Sequence, residues 1–127
     1  MRDEQVRRYA RHILLPDVGG LGQTAMLVAV ARVDIGDPAG LIAATYLSAG
    51  GVGTVVVDHA GDAQLAALTA INPDVTITRD ATEARPDVVT TLPVPDWWPE
   101  SDDDDTARAF WRGGLAATQC MARIISR

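Results

Sequence analysis

A run of β-branched residues near the middle of the chain constrains the fold more than any other feature. Thr54-Val55-Val56-Val57-Asp58 holds four such residues in succession and does not alternate polar with apolar side chains. A strand of this kind is buried on both faces, which is typical of a parallel sheet covered by helices. The central run therefore predicts an α/β fold.

The flanking segments supply the other elements. Strands are predicted at residues 32–35, 54–58, 75–78 and 88–92, and helices at 3–15, 41–49, 62–71 and about 114–126. Asp3 is expected to cap the first helix and Gly50-Gly51 to end the second. Strands that alternate with helices predict a short parallel Rossmann-like sheet of about four strands in the order 3-2-1-4, flanked by helices and preceded by an N-terminal helix.

Composition narrows the class of protein and of partner. The chain has 127 residues, of which 47% are hydrophobic, enough for one domain spanning residues 1–127. Residues 1–22 are expected to form the N-terminal helix and a flexible glycine link (19–22), and residues 93–105 an acidic loop with prolines and tryptophans. A net charge of −6 argues against nucleic acid and anionic membranes as partners.

Localisation and metal binding follow from what the sequence lacks. No apolar run approaches the ~20 residues of a membrane span, and the charged N-terminus opens no signal-peptide core, so a cytoplasmic protein is expected. Cys120 is the single cysteine, which excludes an internal disulfide and a cysteine-based metal cage. Its small apolar neighbours indicate core packing. His12 and His59 have no evident acidic partner in the sequence, so no catalytic residue and no metal ligand is assigned.

The segment Gly36-Asp37-Pro38-Ala39-Gly40 lies between a strand and a helix, where a Rossmann fold binds phosphate. Pro38 removes a backbone N–H, and Asp37 places a negative charge where a phosphate would lie. The segment is interpreted as a structural turn, with residual nucleotide contact by Gly36 and Gly40 as the alternative. Asp58 follows about 18 residues later, where an acid holds ribose hydroxyls in nucleotide-binding Rossmann folds. A helix-capping or turn aspartate is the favoured interpretation, and ribose contact is the alternative.

Several motifs together resemble a known family. They are Arg8-Tyr9-Ala10-Arg11-His12-Ile13-Leu14-Leu15-Pro16, Gly22-Gln23, Ala31-Arg32-Val33, Tyr46 to Thr54, and Ile71-Asn72-Pro73-Asp74. The chain resembles the ThiF/MoeB/HesA family, the bacterial relatives of ubiquitin-activating enzymes. The resemblance implies a Rossmann-like domain that binds ATP, adenylates the C-terminal glycine of a ubiquitin-like sulfur carrier, and works as a homodimer.

The chain departs from the family pattern at the residues that carry adenylation. The glycine loop is shortened to residues 36–40, the Asn-Leu-x-Arg-Gln motif and the zinc-binding cysteines are absent, and the chain contains no lysine. Thr90-Thr91 stands near the place of the expected magnesium-binding aspartate. Arg11 matches a family arginine that reaches the neighbouring subunit's ATP. A salt bridge that anchors the N-terminal helix is the favoured interpretation of Arg11, and contact with a partner's site is the alternative.

Three functions follow as hypotheses. The favoured one is a non-catalytic, dimerising scaffold, accessory or regulatory subunit without a cofactor, whose partner is itself, an active ThiF-like homologue or a protein of a biosynthetic complex. Its expected interface residues are Val6, Tyr9, Ile13, Trp97 and Trp98. The alternatives are a minimal adenylyltransferase using ATP and magnesium, and a nucleotide sensor. Both would use a remnant site formed by Gly36, Gly40, Asp58 and Arg11.

Overall fold

The structure is a computed structural model, and it describes residues 1–80, 86–92 and 105–127. In chain order the elements are α1 (Asp3–Arg8), α2 (Ala10–Ile13), α3 (Gly19–Val28), β1 (Val30–Asp34), α4 (Pro38–Gly50), β2 (Thr54–Asp58), α5 (Asp62–Thr69), β3 (Thr76–Thr78), β4 (Val88–Val89) and α6 (Asp105–Ile125). The strands form one parallel sheet in the order β3-β2-β1-β4, flanked by helices. The predicted fold class and strand order are confirmed.

The central strand β2 has the predicted bounds, and its three valines are buried. It pairs with β1 from Thr54 opposite Val30 to Asp58 opposite Asp34. This register places the two aspartates side by side where both strands end. Parallel sheets of this type place their binding crevices outside the carboxyl ends of the strands, so this edge is where a site is expected.

Helix α4 begins three residues earlier than predicted. Asp37 is its N-cap and accepts a hydrogen bond from Ala39 N at 2.9 Å, and Pro38 occupies the first helical position, which suits its fixed φ. Much of the predicted turn at residues 36–40 is therefore the first turn of a helix. The helix ends at Gly51, as predicted, with a left-handed φ of 87°. A Cβ at Gly51 would also lie 2.7 Å from the Tyr9 ring.

The N-terminal region differs from the prediction in three ways. The single helix expected at residues 3–15 is interrupted at Tyr9, whose φ of −102° and ψ of 16° separate α1 from α2. The N-cap is Arg2 rather than Asp3, and Arg2 N donates to Gln5 Oε1 at 3.0 Å. Residues 19–22 are the start of α3 instead of a link, because Gln23 is buried and fixes this segment against the end of α4.

The C-terminal region also differs in its bounds. Helix α6 starts at Asp105, nine residues before the predicted position, so Asp105 belongs to a helix and not to the acidic loop. Strand β4 is limited to Val88–Val89, although it was predicted to reach residue 92. The rest of the acidic loop, with Trp97 and Trp98, lies outside the described residues. None of the helices among the described residues is long and apolar enough to cross a membrane.

Candidate functional site

The carboxyl edge of the sheet brings together three of the four residues predicted for a remnant nucleotide site. Asp58 ends β2 beside Asp34 of β1, and Gly36 and Gly40 lie in the segment that follows β1. Gly36 N donates to Asp34 Oδ1 at 2.8 Å, and a Cβ at Gly40 would lie 1.7 Å from Asp34 O. Both glycines are thus explained by close contacts within the chain.

The N-terminus of α4, where a Rossmann fold holds phosphate, is closed by the chain's own groups. Pro38 has no N–H, and Ala39 N donates to the Asp37 side chain. Gly40 N and Leu41 N donate to Asp37 O at 2.9 and 3.3 Å. An incoming phosphate would therefore find no free N–H among these four residues, and it would meet the Asp37 carboxylate.

Asp37 is itself fixed from the opposite side. Arg112 of α6 pairs with it, with 3.0 Å between Nη2 and Oδ2, and Arg112 is only slightly exposed. This ion pair holds the cap in place and connects α6 to the start of α4. The carboxylate that blocks the phosphate position is therefore a built part of the fold.

Asp58, the candidate ribose ligand, is engaged by an arginine from the neighbouring strand. Arg32 Nε and Nη2 donate to Asp58 Oδ2 and Oδ1, each at 2.8 Å, in a bidentate pair. These hydrogen bonds lower the pKa of Asp58 below its ordinary value. A ribose hydroxyl would have to compete with a charge-assisted pair, which is among the stronger hydrogen-bond arrangements in proteins.

His59 has an acidic partner that the sequence did not reveal. Its Nδ1 lies 2.8 Å from Asp34 Oδ1, and this contact connects the β2–α5 turn to the end of β1. His59 has a φ of 61°, in the left-handed region that favours glycine, so the contact accompanies an uncommon backbone conformation. The only sequence signal was that both residues end or follow neighbouring parallel strands.

The His59–Asp34 pair predicts a pH dependence with a definite sign. The hydrogen bond to Asp34 raises the pKa of His59, and the same bond lowers the pKa of Asp34. The histidine contribution to stability is present below the unfolded pKa, about 6.5, and is lost as the pH rises through the folded pKa. The aspartate contribution is present above the ordinary carboxyl pKa and is lost as the pH falls through the lowered pKa, so the pair stabilises most at mildly acidic pH.

An NMR titration of the His59 ring checks this prediction. In Asp34→Asn the pKa of His59 should move down toward its ordinary value. Asp62→Asn is the matched control, because Asp62 pairs with Arg79 on the surface at 2.9 Å. The interpretation is wrong if Asp34→Asn leaves the His59 titration where it is in the unmodified protein.

The N-terminal segment is held by a network of hydrogen bonds and an ion pair that joins Arg8 and Tyr9 to residues 72–74. Tyr9 Oη donates to Asp74 Oδ2 at 2.9 Å and accepts from Asn72 Nδ2 at 2.9 Å, and Arg8 pairs with the same carboxylate. Burial raises the pKa of the Tyr9 phenol, which therefore keeps its proton. Burial alone would raise the pKa of Asp74, but hydrogen bonds from Tyr9 and Arg8 hold it below its ordinary value.

Arg11 is not brought to the carboxyl edge. Its neighbour His12 lies beside Gly50, at the end of α4, and α4 runs back to the amino ends of the strands. Within the described ranges Arg11 makes no ion pair and no side-chain hydrogen bond, so the predicted anchoring salt bridge is not found there. The four predicted nucleotide-site residues therefore do not form a single cluster in one chain.

The predicted interface residues are placed differently from one another. Val6 is exposed and Ile13 is half-buried, whereas Tyr9 is 2% exposed and forms part of its own chain's core. Trp97 and Trp98 lie outside the described residues. The Tyr9 side chain is therefore used within the chain, and Val6 and Ile13 remain predictions for an interface.

The remaining candidate groups offer no reactive centre. Cys120 is buried, and burial raises the pKa of its thiol, which disfavours the nucleophilic thiolate. Among residues 1–80, 86–92 and 105–127, no group of histidine, cysteine and acidic side chains is arranged to hold a metal ion. Compared with models of known protein families and with curated proteins, the chain gives no match.

Proposed function

We propose that this chain is a non-catalytic protein of the ThiF/MoeB/HesA type that acts as a scaffold, accessory or regulatory subunit. Its partner would be a second copy, an active homologue or a protein of a biosynthetic complex. One observation carries the proposal. The N–H groups that begin α4 are bonded to Asp37, the N–H of Gly36 before the helix is bonded to Asp34, and Asp58 is paired with Arg32. The positions for phosphate and ribose are thus filled by the chain's own groups.

The chemistry of adenylation supports the same proposal. Transfer of AMP develops charge on pyrophosphate, and cationic donors or a metal must stabilise that charge. Loss of a single oxyanion donor typically lowers the rate by ~10²–10³. This chain contains no lysine, and two arginines beside the carboxyl edge, Arg32 and Arg112, are paired with Asp58 and Asp37. These arginines would have to leave their carboxylates before they could contact a nucleotide.

A pyrophosphate exchange assay tests the absence of adenylation. Labelled pyrophosphate should not enter ATP when the folded protein is incubated with magnesium and carriers that end in Gly-Gly. An active adenylating enzyme run in parallel shows that the carriers are competent. Carrier-dependent exchange by this chain would reject the proposal and would restore the minimal adenylyltransferase.

A further inference from the structure

An apolar groove lies between α6 and the segment that joins α2 to α3. It contains a cavity of about 480 Å³, whose apolar lining includes Leu15, Val18, Met26, Met121 and Ile125. A second cavity of about 380 Å³ shares part of this lining and extends to the end of α4. Pockets that hold small molecules are mostly apolar and measure roughly 300–1,000 Å³. The groove is therefore large enough for a small ligand.

The imidazole of His12 lines both cavities, and its hydrogen-bonding role is fixed by a buried neighbour. Gln23 is fully buried, and its Nε2 donates to Gly50 O at 3.0 Å. The Gln23 Oε1 atom is thus left to accept, and His12 Nδ1, 2.9 Å away, must donate to it. With the proton on Nδ1, Nε2 of the neutral ring is an acceptor.

The two hydroxyl groups of the groove also present acceptors. Thr118 Oγ1 donates to Gly114 O and Ser126 Oγ donates to Ala122 O, each at 2.8 Å along α6. A hydroxyl has one proton to donate and two lone pairs. Both protons are therefore used inside the helix, and the lone pairs are left for a ligand.

Asp17 adds a negative charge to the same lining. Its carboxylate makes no ion pair and no side-chain hydrogen bond with any other described residue. The chain has no lysine, and no arginine is among the described residues that line either cavity. A ligand carboxylate or phosphate would meet acceptors and a like charge here, whereas a cationic donor would meet complementary groups.

We propose that this groove binds a small apolar amine in its protonated form. The hydrocarbon part lies against the apolar side chains, which removes its surface from water. The ammonium carries three donors and no acceptor, so it suits a lining that offers Asp17 and further acceptors. The groove lies beside the end of α4, away from the carboxyl edge of the sheet. The proposal therefore goes beyond the scaffold function and does not depend on it.

Methyl NMR of the methionines tests the ligand class. Met26 and Met121 line the groove, whereas Met1 does not and serves as the internal reference. Titration with n-octylammonium should shift the Met26 and Met121 signals to saturation. The dissociation constant of n-octanoate, with the same chain length, should be at least about ten-fold higher, because Asp17 attracts one headgroup and repels the other. Equal dissociation constants for the two ligands, or no saturable shift with n-octylammonium, would overturn the proposal.

Removal of the groove's charge tests the headgroup contact. Asp17→Asn should raise the dissociation constant of n-octylammonium about three- to five-fold, as expected for an exposed ion pair, and leave that of octan-1-ol unchanged. Asp62→Asn is the matched control, because it removes the same charge from an exposed residue that lines neither cavity. An unchanged affinity of Asp17→Asn for n-octylammonium would contradict the assigned contact.

A substitution that fills the groove tests the location. Ala122 lines the larger cavity and is exposed, so Ala122→Trp should fold and should abolish the ligand-induced shifts of Met26 and Met121. Ala107→Trp is the matched control, since Ala107 is exposed on the same helix and lines neither cavity. Circular dichroism verifies that both variants are folded. Binding of n-octylammonium that survives Ala122→Trp would place the amine elsewhere and reject this site.

Discussion

Gly40→Ala should destabilise the fold by about 3 kcal/mol or more, because there is no room for a side chain between α4 and β1. A Cβ at residue 40 would lie 1.7 Å from the backbone oxygen of Asp34 and 2.8 Å from its carbonyl carbon. Backbone cannot rotate away as a flexible side chain can. Helix α4 cannot move away from β1 either, because α6 packs closely on its other side. A Cβ at Gly113 of α6 would lie 2.5 Å from Ala39 O.

Urea unfolding followed by circular dichroism measures this effect. A loss of about 3 kcal/mol is a large share of the 5–15 kcal/mol typical of a domain, so Gly40→Ala should unfold at a much lower urea concentration. Gly114→Ala is the matched control, because it lies inside α6 with nothing within 4 Å of the added Cβ. The Gly114→Ala variant should be more stable than the unmodified protein by about 0.5–1 kcal/mol. Similar midpoints for both variants would show that the α4–β1 approach is not as close as described.

Tyr9→Phe should destabilise the protein by about 1–3 kcal/mol while keeping the shape of the ring. The hydroxyl accepts from Asn72 and donates to Asp74, and Asn72 is buried. Its removal leaves one Asn72 N–H without an acceptor in the interior. The effect should be larger than that of an ordinary hydrogen bond, because the abandoned group stays desolvated.

Tyr46→Phe provides the comparison for this second variant. Tyr46 is 48% exposed, and within the described residues its hydroxyl has no hydrogen-bond partner. The free energy of unfolding of Tyr46→Phe should therefore differ from that of the unmodified protein by less than about 0.5 kcal/mol. Thermal and urea unfolding of the two variants give the difference directly. Equal stabilities would mean that Tyr9 anchors the N-terminal segment by packing alone.

The elements that were predicted well are those whose pattern is local. The Thr54–Asp58 strand and the glycine at position 51 were found where expected, because β-branched runs and left-handed caps are set by neighbouring residues. The alternation of strands and helices predicted a parallel sheet, and the Rossmann-like pattern supplied the order 3-2-1-4. The pairing of β4 with β1 confirms that order.

The predictions that were wrong involve contacts between distant residues. The break at Tyr9 follows from its burial against residues 72–74, more than sixty positions away. The early start of α6 accompanies the Arg112–Asp37 pair, and neither residue indicates the other in the sequence. Two pairs at the candidate site were not predicted for the same reason. Arg32–Asp58 and Asp34–His59 join residues that only the strand register brings together.

Calorimetric titration with ATP and magnesium tests the central claim most directly. The claim is that Asp34, Asp37 and the Arg32–Asp58 pair fill the positions that a nucleotide would need. It predicts no measurable binding heat at protein concentrations of tens of micromolar. This result corresponds to a dissociation constant of about 1 mM or weaker, about a thousand-fold above 1 μM. Saturable micromolar binding that disappears in Asp58→Ala, with that variant still folded, would contradict it.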